Sequence, residues 1–88
     1  MPELSRFLGL VITMYIRDVD KHHVPHIHVR YGEYKAVLSL TGELLSGSLP
    51  PKQLRAVLVW IDLREIELAK AWELAVNNDN PGSIAPLS

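Results

Sequence analysis

The chain contains no cysteine, which removes disulfides, thiolate zinc centres and a cysteine nucleophile together. A metal, if one is held, must sit on histidine and carboxylate side chains. Excess charge is also missing: nine Lys and Arg face ten Asp and Glu, a formal net charge of -1, far from the basic balance that wrapping a nucleic-acid backbone requires. Contact with nucleic acid would have to be local. The longest apolar run near the N-terminus, Gly9 to Met14, lacks the charged start, length and small-residue exit of a signal peptide, and nothing approaches a bilayer span. A cytoplasmic location with no membrane partner is therefore expected. There is no Gly-rich phosphate loop, no G-x-S-x-G elbow, no paired-carboxylate motif and no internal repeat.

What is present suits one small globular unit. Hydrophobic residues make up 48% and charged residues 22% of 88, enough for a single modest core and not for a second. Residues 1–88 are read as a single domain. Its character changes at Pro50-Pro51, with period-two alternation before the pair and helical spacing after it. Strands are expected over about 9–49, helix over about 50–77 and a loosely held tail over 78–88. Leu10, Ile12, Met14 and Ile16 share one face of a strand that ends at Arg17, with Val11, Thr13 and Tyr15 on the other. A polar loop over 18–25 leads into His26 to Tyr31, and Gly32-Glu33 suits a two-residue type II′ turn. That turn sets Tyr31 opposite Tyr34, Val29 opposite Ala36 and Ile27 opposite Leu38 on an apolar face. Arg30 then meets Lys35, His28 meets Val37 and His26 meets Ser39 on the other face. Residues 44–49 read as a short or irregular strand because of Gly47 and its neighbouring serines.

Past the prolines, Leu54, Val57, Leu58 and Ile61 keep helical spacing, and Ile66, Leu68, Ala69, Trp72, Ala75 and Val76 resume it in a shifted phase. One straight helix over 51–77 would run roughly 40 Å, long for this chain. A break near Asp62 is expected, with Asp62 and Glu65 as a D-x-x-E cap. The fold class is α+β: an antiparallel β-meander of three to four strands followed by one bent helix or two helices packed on one sheet face. Trp60 and Trp72 read as core or interface anchors.

The opposite sheet face then carries Thr13, Tyr15, Arg17, His26, His28, Arg30, Lys35 and Ser39. It is either a solvated face with nothing bound or a surface for anionic partners such as RNA phosphates or an acidic protein. All four histidines lie between residues 22 and 28. Histidines two apart on a strand project from one side about 7 Å apart, and His22, His26 and His28 could hold a divalent ion such as zinc, with Asp18 or Asp20 adding an oxygen. His26 and His28 could instead act as general acid and base in metal-independent RNA cleavage, with Arg17, Arg30 or Tyr15 in support. A DNA-binding regulator is a further alternative, although residues 51–77 balance Lys52, Arg55, Arg64 and Lys70 against Asp62, Glu65, Glu67 and Glu73, a poor recognition helix. The leading reading is a regulatory or interaction module, since a chain with no recognisable active site works through a surface; a homodimer is left open.

These residues carry a resemblance. The opening Met1-Pro2-Glu3-Leu4-Ser5-Arg6-Phe7-Leu8-Gly9-Leu10-Val11-Ile12-Thr13-Met14-Tyr15, with His22, Pro25, His26, Ile27, His28 and Val29 downstream, resembles an uncharacterised bacterial domain-of-unknown-function family. That family opens M-P-x-I-S-R-F-x-G-I-x-I-x-M-Y and has a P-H-F-H motif further on. Tyr31 to Ala36, Thr41-Gly42-Glu43, Trp60, Trp72 to Ala75 and Ile84 to Leu87 continue the likeness. Val24 and Ile27 depart from its usual Pro and Phe. The resemblance implies a cytoplasmic protein encoded beside another small protein, in an arrangement similar to toxin–antitoxin operons, with that neighbour as its partner. It brings no catalytic or binding residues with it.

Overall fold

The structure is a computed structural model that describes residues 3–16 and 24–87. Five strands come first: β1 (Glu3–Phe7), β2 (Leu10–Thr13), β3 (His26–Tyr31), β4 (Tyr34–Ser39) and β5 (Leu44–Gly47). They form one antiparallel sheet in sequence order, and two helices follow, α1 (Pro51–Leu63) and α2 (Glu65–Val76). The α+β class is as expected, with five strands in place of three or four.

The additional strand is β1. Its residues break strict alternation because the register slips between Glu3 and Ser5, so Leu4 and Ser5 both turn inward. The turn joining β1 to β2 has Leu8 at φ 50 and Gly9 at φ 78, the two successive left-handed residues of a tight hairpin. Leucine seldom adopts that conformation, which hides the turn from a reading of residue types. The β3–β4 hairpin has the register expected from its side-chain pattern, from Tyr31 opposite Tyr34 to His26 opposite Ser39. The strand expected to reach Arg17 stops at Thr13, and Arg17 itself lies outside the described residues.

One apolar cluster joins the sheet to the helices. Leu4, Phe7, Leu10, Ile12, Ile27, Val29 and Leu38 meet Val57, Trp60, Ile61, Leu68 and Ala71 in it, so the helices cover one face of the sheet. Trp60 is fully buried, 5.6 Å from the Phe7 ring between centroids. α1 begins on Pro51 at its first turn, where the missing N–H costs nothing. The helical break falls at Arg64, two residues past Asp62, with φ -112 and ψ 24. No side chain caps α2, so the expected Asp62–Glu65 cap is not formed. The Arg64 carbonyl instead accepts from the Leu68 N–H at 2.8 Å, which carries the helical ladder across the bend. Ile66 and Val76 are exposed despite their helical spacing, Ile66 by 84%, because the bend rotates the buried stripe of α2 onto Leu68, Ala71 and Ala75; Leu58 is exposed too, the buried stripe of α1 being Val57, Trp60 and Ile61.

The tail is held, contrary to expectation. Trp60 Nε1 donates to the Ala85 carbonyl at 2.8 Å, and an Arg64 guanidinium nitrogen donates to the Pro86 carbonyl at 3.1 Å. The Ile84 N–H donates to the Leu4 carbonyl at 2.7 Å, and the Ile84 side chain is buried. Replacement of Ile84 by Ala is expected to cost about 2 kcal/mol or more, read from urea denaturation. A change no larger than that of an exposed-site control would show the tail to be unattached.

Gly47 ends β5 with φ 76, and an added Cβ would overlap the Lys35 carbonyl oxygen and lie 2.9 Å from the Ala36 Cα. Those neighbours are backbone and cannot yield. Gly47→Ala is therefore expected to destabilise by at least about 2 kcal/mol. Gly82→Ala, where φ is also positive but nothing lies within 4 Å, should cost about 1 kcal/mol. Denaturation midpoints of the two variants test the difference, and equal losses would refute the crowding at Gly47.

Candidate functional site

The sheet face away from the helices forms a depression of about 470 Å³ lined by Glu3, Arg6, Val11, Thr13, Tyr15, His28, Val29, Arg30 and Lys35. Strand register sets its geometry. Arg6 pairs with Val11, Val11 with Arg30 and Arg30 with Lys35, so three cations stand in one rung that crosses four strands. Glu3, Thr13 and His28 form the neighbouring rung. Tyr15, beyond the end of β2, packs edge to face on His28 with ring centroids 4.6 Å apart.

The charges in the depression are unequal. Among the described residues Glu3 is its one acid, and its carboxylate is already engaged by Arg6 at 2.6 Å. The hydrogen bond to Glu3, and then the attraction of its charge, raise the Arg6 pKa, so the guanidinium stays cationic at any working pH. Arg30 and Lys35 are exposed and add two further positive charges. Both ends of this cationic line are solvent-facing, and polar groups there are hydrated rather than costly.

His26 and Ser39 were expected on that open face, and both are buried. Ser39 is enclosed by the turn that follows β4: its Oγ accepts from the Glu43 N–H at 3.0 Å and is 2.9 Å from Thr41 Oγ1. His26 sits among rings, 5.3 Å from Trp72 of α2 and 5.5 Å from His28 by centroids. Its Nδ1 lies 2.7 Å from the Val24 carbonyl oxygen. A carbonyl only accepts, so Nδ1 carries the proton and donates. That bond fixes the ring orientation and ties the entry of β3 to its first residue.

Of the catalytic candidates, Tyr15, His28 and Arg30 come together in the depression, while His26 lies behind them with none of its surface exposed. Arg17 and His22 fall outside the described residues, as do Asp18, Asp20 and His23. Among the described residues no three His, Cys, Asp or Glu side chains are grouped to hold a metal ion. The sequence reading missed Arg6 and Glu3. Both ride on β1, whose irregular pattern concealed it, and the usable signal was that Ser5-Arg6-Phe7 precedes a two-residue gap before the Leu10 strand.

A family model described as a domain of unknown function, DUF4160, matches residues 9–73. The chain belongs to that family. The match spans β2 through most of α2 and so includes Tyr15, His28, Arg30 and Lys35, whereas β1 with Arg6 and the tail lie outside it. No curated protein and no solved structure matches the chain. No helix among the described residues is long and apolar enough to cross a membrane.

The two DUF4160 histidines on β3 have different environments, and their replacement should separate them. His26→Ala is expected to lose about 2–4 kcal/mol of stability through the vacated ring site and the lost Nδ1 bond. His28→Ala, half-exposed on the depression, should lose less than about 1 kcal/mol. Chemical denaturation of both variants measures this, and the reverse order would contradict the burial of His26.

Proposed function

We propose that this protein is a non-catalytic interaction module that docks an anionic partner on the open face of its sheet. One observation carries the reading: the rung of Arg6, Arg30 and Lys35 across a depression in which the single acid among the described residues is already paired. A line of cations across a concave surface attracts and orients an anion before contact. With a formal net charge of -1 over the whole chain, that attraction is a local property of the site.

A component of a two-gene, toxin–antitoxin-like pair, as the family resemblance implies, would work in this way by holding an acidic partner or an RNA. The histidine-dependent ribonuclease alternative needs two imidazoles within reach of substrate, and the burial of His26 weighs against it. A DNA regulator would need a basic helix to enter the major groove, and the cations of the depression sit on strands instead.

Heparin serves as a probe of anion docking that assumes no particular partner. The protein should be retained on a heparin column at low ionic strength, and the Arg6→Ala/Arg30→Ala/Lys35→Ala variant should elute at markedly lower salt. Passage of the unmutated protein without retention would overturn the reading.

A further inference from the structure

Resting on the reading of the open face as an anion-docking surface, we propose that its ligand is single-stranded RNA. Backbone phosphates lie along the Arg6, Arg30 and Lys35 rung, and a base is seated against the Tyr15 ring beside it. The spacing of the cations is the first argument. Neighbouring strands stand about 4.8 Å apart, so a rung from β1 to β4 spans about 14 Å. A compact anion such as one phosphate or sulfate meets only one end of that line. A linear polyanion meets all of it, with Arg6 at one end and the Arg30–Lys35 pair at the other.

An aromatic pair flanks the line. Tyr15, set edge to face with His28, shares the same depression. Carboxylates of an acidic protein would satisfy the cations and leave this aromatic pair without a role. Single strands use cations and rings together, tracking the backbone with positive side chains and stacking unpaired bases on aromatic faces. A duplex keeps its bases stacked inside and offers a sheet face only its phosphates. Tyr15 therefore selects for a single strand.

Glu3 and Thr13 face one another in the rung next to the cations and line the same depression. A carboxylate and a hydroxyl are acceptors for a 2′-hydroxyl, the group that distinguishes RNA from DNA. Glu3 is held by Arg6 at 2.6 Å, which offsets its repulsion of a phosphate while leaving its remaining lone pairs available to a sugar hydroxyl.

The test is fluorescence anisotropy with a labelled oligouridine ten nucleotides long, the DNA oligomer of matching length and inorganic polyphosphate as a competitor. RNA binding should weaken with salt with a log–log slope of about -2, the value for three phosphate contacts on a single strand. Arg30→Ala/Lys35→Ala should flatten that slope. Tyr15→Ala should weaken binding about tenfold or more with the slope unchanged. Tyr15→Leu, which keeps apolar bulk, should give the same loss, and melting curves establish that each variant is folded. DNA binding as tight as RNA overturns the assignment to RNA. Polyphosphate that competes equally per phosphate, with Tyr15 variants unaffected, overturns the single-strand assignment but leaves anion docking intact. Absence of binding to both heparin and RNA overturns both readings.

Discussion

Burial of Trp60 is the constraint on which the rest of the molecule depends. Its ring lies against Phe7 of β1 and within the cluster formed by β2, β3 and β4, while its indole N–H donates to the backbone of the tail at Ala85. A tryptophan buried with its N–H satisfied contributes both area and direction. Through this one side chain α1 is oriented on the sheet, β1 is kept at the edge next to β2, and the residues after α2 are drawn back across the helices. Packing the helices on that face leaves the other face of the sheet with its polar residues in water, and the depression follows from that choice of side.

Legibility in the sequence tracked the strictness of the local pattern. The β3–β4 hairpin was readable to the residue because one of its faces is wholly apolar and the other polar except at Val37, and a slip by one position would have placed Ile27 and Val29 in water. β1 was not readable, since a slipped register turns Leu4 and Ser5 inward together and its turn uses a leucine at φ 50. The helical break was readable in kind and displaced by two residues, because it arises from tertiary packing of two apolar stripes and not from a side-chain cap. Of the candidate site, Tyr15, His28, Arg30 and Lys35 were legible from alternation alone. Burial of His26 was not, because it depends on Trp72, forty-six residues away in sequence, and alternation carries no information about distant partners.

The arrangement of charge shows why bulk composition says little about this chain. A formal net charge of -1 coexists with a rung of three cations, since most acids among the described residues lie on helices and turns and Glu3, the one described acid in the depression, is paired with Arg6. Such placement gives a short-ranged field that salt screens within about 8–10 Å. Selectivity then rests on how the groups are arrayed rather than on how many there are.

The connection between Ile84 and the Leu4 carbonyl joins the two ends of the described chain, whereas every strand pairs only with its neighbour in sequence. The β1–β2, β3–β4 and β4–β5 pairs can thus close as short hairpins with little loop entropy to overcome, while twelve residues separate β2 from β3. The strap across the ends has the longest loop to close and has no surface to close upon until sheet and helices have met. In the folded molecule it also occupies a backbone acceptor on the outermost strand, a group that would otherwise stand ready to pair with a strand from another chain.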